Sequence, residues 1–372
     1  MTWQTLSAQA YGAKPTSWQQ RRSRAGFALG ELLIAMTLGA LVIGTAFALL
    51  RPLHLALRTQ PEAADTHQRL RVGLAAIADD LRQAGAGSRA SPDGWFRAVP
   101  AVLPVRLGTS GQDPPLSAFT DRITILRVAS EGAVTSLSSA PGAGGLLINQ
   151  DAGCPVASAS CGFIADDRAL LFDLTGAFHP FPVAGAGPLW IDAGGISFAA
   201  PFAPATGAGV AEIQQSTYYL DRSARQLRRY DGHRSDLPVL DDVADFEVRL
   251  FGTATPPAEP VPPPGIGGCL VDAAGGLRLG ALTPIDGDLV DLTAALLTDG
   301  PVCGQGPLLY DADLLRVTVV RVRLRVEATS DRLRGPAGGL FERAGTASEG
   351  GGDVHDFELT VEVAPRNLPA GR

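Results

Sequence analysis

Hydrophobic and polar positions change their period along this 372-residue chain, and each change marks a different element. From Phe27 to Leu50, 24 successive residues contain one charge, Glu31, and Arg51 and Pro52 close the run. At 1.5 Å per residue such a helix is about 36 Å long, enough to cross a bilayer. Residues 63–84 then repeat at three and four: Ala63, His67, Leu70, Leu74, Ile77, Leu81 and Ala84 make one apolar stripe, which predicts an amphipathic helix. Pro52, together with Thr59 and Glu62 at capping-box spacing, predicts a kink or break within 52–61. Gly85 and Gly87 predict the helix end. His67 is expected to be solvated or packed in the stripe.

Beyond residue 88 the period becomes two. Residues 121–130, 169–174, 216–221 and 225–230 read as strands, the last two as a hairpin around "DRSA". Three later segments alternate most clearly. In 242–250, Val243, Asp245, Glu247 and Arg249 oppose Ala244, Phe246, Val248 and Leu250. In 320–327, Arg321, Arg323, Arg325 and Glu327 oppose Val320, Val322, Leu324 and Val326. In 357–363, Glu358, Thr360 and Glu362 oppose Phe357, Leu359, Val361 and Val363. Arginines stacked on one strand face repel unless acids answer them across the ladder. Segment 320–327 is therefore expected beside 242–250 or 357–363 in one antiparallel sheet, its apolar face on the amphipathic helix. An arginine stripe that binds anions is the alternative. Leu315, Val317 and Val319 have the parity of the arginines, so a bulge or face switch is expected near 319–320. Together these elements predict an α+β protein: a long N-terminal helix, transmembrane then amphipathic, packed on a β-rich, mainly antiparallel head.

Composition narrows the function. Hydrophobic residues make up 45% and charged residues 19%, which supports a packed core rather than a disordered chain. A net charge of −7 with dispersed basic residues argues against nucleic acid as an obligatory partner. The four cysteines fall as Cys154/Cys161 and Cys269/Cys303, without zinc-site spacing or nearby histidines. Beyond a membrane anchor such pairs are expected as disulfides, each contributing about 2–4 kcal/mol; buried free thiols are the alternative. No nucleophile elbow, phosphate loop, dinucleotide fingerprint or HExxH motif is present, and "PGAGG" (141–145) reads as a turn. Asp286, Asp288 and Asp291 are a weak calcium candidate, better read as a solvated acidic turn. No cofactor and no enzymatic activity are expected.

The start of the chain is more specific. Residues 1–26 carry Lys14, Arg21, Arg22 and Arg24 and no acid, which places that flank in the cytoplasm and the bulk of the chain outside. The apolar run is too long for a cleaved secretory signal, and an ordinary signal anchor does not explain Glu31. Cleavage between Gly26 and Phe27 would expose an α-amino group at the depth of that carboxylate. Basic leader, Gly26, Phe27, Glu31 and "ELLIAM" resemble the class III signal of type IV prepilins and type II secretion pseudopilins; Ala28 and Gly30 depart from the common pattern. "DDLRQAG", "LRRYDG", "LDDVADFEVRL", "RVTVVRVRLRVEA" and "DFELTVEVAPRNLPAG" further resemble PilW-type minor pilins. The likeness does not extend to about residues 88–210 and 252–305.

That resemblance implies a leader at 1–26, a transmembrane half-helix at 27–51, an amphipathic half at 52–87 and a head at 88–372. The head would carry proline-rich (253–268) and glycine-rich (334–352) excursions within it. It further implies cleavage after Gly26, N-methylation of Phe27, and registration of neighbouring subunits by Glu31. Implied partners are prepilin peptidase, the major pilin, other minor pilins or pseudopilins, an inner-membrane assembly platform and inner-membrane lipid. The protein would be a single-pass inner-membrane subunit that passes into a pilus, a pseudopilus or the cell surface. A J-type type II secretion pseudopilin and a pilin-exported adhesive head are the alternatives.

Overall fold

The computed structural model describes residues 28–87, 99–128, 132–151, 154, 158–198, 201–335, 341, 345–346 and 354–368. Helix α1 spans Leu29–Arg82. Two compact units divide the chain, the first ending at Arg58 and the second running from Thr59. In the first unit the helix exposes Leu32, Ile34, Leu38, Leu41, Ile43, Phe47 and Leu49. It is long and apolar enough to cross a membrane.

Of the predicted kink or break within 52–61, the break is absent: α1 continues through both Pro52 and Pro61. A proline removes one helical hydrogen bond locally, and the turns on either side remain. Thr59 lies in the helix interior, so it has no orphan amide to cap. Glu62, its expected partner, instead accepts the backbone N–H groups of Thr329 and Ser330.

In the second unit the described residues add seventeen strands. These are β1 (Val102–Leu103), β2 (Arg122–Val128), β3 (Val134–Ser136), β4 (Leu146–Leu147), β5 (Arg168–Phe172), β6 (Phe178–Pro182), β7 (Gly185–Gly187), β8 (Trp190–Asp192) and β9 (Gly209–Asp221). They continue with β10 (Gln226–Tyr230), β11 (Asp236–Leu240), β12 (Val243–Thr253), β13 (Leu289–Leu292), β14 (Val302–Cys303), β15 (Tyr310–Asp311), β16 (Val317–Val326) and β17 (Phe357–Val363). An eight-stranded sheet is organised around β9, which pairs β2 and β10 through its C-terminal part and β3 and β5 through its N-terminal part. A four-stranded sheet has the order β13-β12-β16-β17, with every pairing antiparallel. The β9–β10 hairpin turns at residues 222–225 as expected, its Asp221 carboxylate accepting the amides of Ser223 and Ala224.

The predicted pairing of 320–327 holds on both sides. β16 lies between β12 and β17, with Arg323 opposite Glu247, Arg325 opposite Glu358 and Arg321 opposite Glu362. The apolar face of β16 contributes Val320, Val322, Leu324 and Val326 to a buried cluster that also holds Leu70, Leu74, Ile77 and Leu81 of α1. A buried leucine or isoleucine contributes roughly 1.5–3 kcal/mol, so this stripe is a main attachment of helix to head. Gly73 sits in the same interface, where an added Cβ would lie 3.1 Å from a Leu240 methyl. His67 packs on Phe357, with ring centroids 3.6 Å apart.

Two bulges interrupt the pairing, and the first revises the parity read from sequence. The pairing of β12 with β16 skips Ala244, which turns Val243 inward beside Phe246 rather than outward beside Asp245. It also skips Thr318, which provides the expected face switch, so Val317 is buried while Val319 is half-buried. Gly252 stands opposite this second bulge, where a Cβ would fall 2.7 Å from the Arg316 carbonyl oxygen.

Helix α1 ends at two left-handed glycines, Gly85 and Gly87. The Gly85 amide donates to the Leu126 carbonyl and the Val128 amide to the Ala86 carbonyl, joining the helix end to β2. A second buried cluster, with Phe163, Leu171, Phe181, Ile191 and Phe202, fills the region of β4–β8.

Candidate functional site

The residues singled out from sequence fall at three places. At the first, Glu31 occupies the opening turn of α1, where a carboxylate suits the helix dipole. The Glu31 amide donates to the Ala28 carbonyl at 2.9 Å, and the side chain is exposed. Among the described residues no hydrogen bond or ion pair engages its carboxylate. Gly26 and Phe27 lie outside the described residues. Gly30, Gly39 and Gly44 face open space, since an added Cβ at each would meet nothing within 4 Å. Thr37 and Thr45 return their hydroxyls to the carbonyls of Ile34 and Val42, which leaves this part of the helix surface apolar.

The second place is the cysteines. Cys154–Cys161 and Cys269–Cys303 are both disulfides, with sequence separations of 7 and 34. The longer loop ties the end of the proline-rich excursion, at Cys269 just beyond it, to β14, and by the chain-entropy argument it restrains the unfolded chain more than the shorter one.

The third is the acidic turn. Asp286 and Asp288 are exposed, Asp291 is half-buried in β13, and the Leu289 amide closes the turn on the Asp286 carbonyl. The carboxylates that converge among the described residues are others, Asp299, Asp311 and Asp313, with oxygens within 4.8 Å of one another. Asp311 accepts the amides of Gly300 and Asp313, and Asp313 pairs with the buried Arg316. Burial raises the pKa of both Asp311 and Asp313.

A fourth constellation joins the second unit's part of α1 to the head and is not visible in the sequence pattern. Arg69 bonds Asp65 at 2.8 Å, Asp242 at 3.4 Å, and the carbonyls of Asp241 and Glu327. Asp242 also receives Arg225 at 2.9 Å and Arg334 at 3.0 Å. Glu327, 1% exposed, takes Arg225 and Arg334 at 3.3 Å each and the Thr346 amide at 2.6 Å. Beside it Arg325 and Asp356 face each other at 3.5 Å, both nearly fully buried. Burial, and then the Glu327 charge, push the Asp356 carboxyl up to about 6, against the pull of Arg325, Arg334 and His355. Three helical turns on from Arg69, the Tyr218 hydroxyl donates to Asp80 at 2.8 Å, and Arg229 pairs with the same carboxylate at 3.2 Å. Burial and the Asp80 charge raise the Tyr218 pKa.

The network is a structural clamp: its charges are paired with one another and hold residues 62–80 of the helix on the sheets. What the arrangement offers chemically is a fixed head and, N-terminal to it, an apolar helix that presents one carboxylate. The chain matches no family model, no curated protein and no solved structure.

Proposed function

We propose that this protein is a structural, non-enzymatic subunit of a type IV pilus-like filament, a PilW-like minor pilin that acts in pilus assembly. The observation that carries this reading is Glu31, a lone carboxylate in the first turn of a bare apolar helix, just after Gly26 and Phe27. A carboxylate within hydrocarbon costs about 2.5–3.5 kcal/mol at a helix centre and less near an end, so it calls for a partner. The α-amino group released by cleavage after Gly26 is a cation of the right charge at the right depth, on this subunit or its neighbour.

In this mechanism the basic leader holds the precursor's N-terminus in the cytoplasm. Prepilin peptidase removes residues 1–26, and Phe27 is N-methylated. The apolar helix then leaves lipid for a bundle of like helices, where Glu31 sets register against a neighbouring amine. The head, fixed to the helix through Leu70, Leu74, Ile77 and Leu81, follows to the periplasmic or external side. Mass spectrometry of the protein purified from its native membrane provides the test. The expected N-terminal peptide begins with N-methylated Phe27, and recovery of an intact leader would overturn the proposal.

A further inference from the structure

The outer face of the four-stranded sheet carries a concentration of cations that the assembly role does not use. Arg249 and Arg321 are directly opposed in the β12–β16 register, and Arg323 follows two positions along the same face. Like charges placed opposite one another in a sheet are destabilising. Here they border an open cavity of about 230 Å³ lined by Glu247, Arg249, Arg321, Arg323 and Thr360. Three guanidinium groups and one carboxylate line it, and Asp245 and Glu362 reach Arg323 and Arg321 from its margin.

The groups are held in place by contacts at the cavity's margin. Glu247 serves two of the arginines, Arg249 at 2.8 Å and Arg323. Arg321 is fixed from outside the cavity by Glu362 at 2.6 Å and lies over the Phe251 ring at 4.7 Å. Arg323 reaches Asp245 at 3.4 Å, yet its buried Nε has no acceptor among the described residues. Planar, pre-positioned guanidinium forks match the oxygen geometry of carboxylates and phosphates.

We propose that this cavity binds an oxyanion, the carboxylate or phosphate group of a ligand, with Arg249, Arg321 and Arg323 as charged donors and the Thr360 hydroxyl as a neutral one. The proposal is independent of the filament role.

The test is calorimetric titration of the full chain in uncharged detergent micelles, at constant low ionic strength, with inorganic phosphate and separately with a tetraglutamate peptide. Saturable one-to-one binding of at least one probe is expected. Arg249→Gln and Arg321→Gln should each weaken it about tenfold, roughly 1.4 kcal/mol. Arg222→Gln, an exposed arginine on the β9–β10 turn, should leave it unchanged. Circular dichroism of each variant checks the fold, and the exposed Arg249 carries the test if Arg321→Gln does not fold. Binding of phosphate alone assigns the site to a phosphate group, binding of the peptide alone to a partner's carboxylates, and displacement of one by the other to both. No saturable binding by either probe, or equal weakening by Arg222→Gln, overturns the proposal.

Discussion

Ile77 has none of its surface exposed and belongs to the cluster shared by α1 and both large sheets. Truncation there removes transfer energy and leaves a cavity in a rigid surround, so Ile77→Ala should cost about 2–5 kcal/mol. The readout is the denaturant midpoint of head unfolding in detergent, and a loss below about 1 kcal/mol would mean that the helix is not anchored by this stripe. Asp356 gives a pH signature. Its folded pKa of about 6 exceeds the ordinary carboxylate value, so the folded state holds the proton more tightly than the unfolded state. Stability from this group is present at low pH and declines as pH rises toward 6, the reverse of a salt-bridged carboxylate with a depressed pKa. Asp356→Asn keeps the neutral form at every pH. The variant should thus gain melting temperature relative to wild type between about pH 4 and 7, and a difference that stays flat or reverses would remove Asp356 as the titrating group.

At the scale of elements, β16 shows which charge pairs matter. Arg321 and Glu362 at the edge are 40% and 54% exposed, where an ion pair contributes about 0.2–1 kcal/mol. Arg334 and Glu327, beyond the strand's other end, are 3% and 1% exposed, and removing Glu327 leaves Arg225 and Arg334 to share Asp242. Glu327→Gln should therefore cost about 3–5 kcal/mol and Glu362→Gln less than 1 kcal/mol, measured as paired denaturant titrations. Equal losses would show that the buried cluster is solvated. The same strand shows what the sequence could reveal. Its alternation of valine and arginine named its partners, because acids on 242–250 and 357–363 were needed to answer it. The bulge at Ala244 was not legible, since parity assumes an unbroken ladder and an extra residue leaves no compositional mark. Glu62 was misread as a cap because its spacing from Thr59 is local, whereas the amides of Thr329 and Ser330 arrive through the fold. The Glu327 network escaped for the same reason: it draws Arg69, Arg225, Asp242 and Arg334 from four separate segments. Short strands such as β4, β7 and β14 lack the length for a period to register.

For the whole molecule, the consequence is a division of labour between Glu31 and the head. Among the described residues, the apolar stripe and the ion network around Glu327 attach the head to the helix within the second unit. Glu31 takes no part in this attachment, so Glu31→Ala should leave the head's unfolding free energy within about 0.5 kcal/mol of wild type. The same substitution removes a carboxylate from the apolar helix, which makes insertion into the bilayer easier, not harder. Two trivial reasons for lost function, a damaged head and a failed insertion, are thereby set aside in advance. If Glu31 pairs with a neighbour's amine, the variant should appear in the membrane fraction in normal amount, with its leader removed, yet be depleted from sheared filaments. Glu31→Asp, which keeps the charge on a shorter arm, should restore part of the assembly that Glu31→Ala loses. Normal recovery of Glu31→Ala in filaments would leave the carboxylate without a role in assembly, even if Phe27 proves to be the mature terminus.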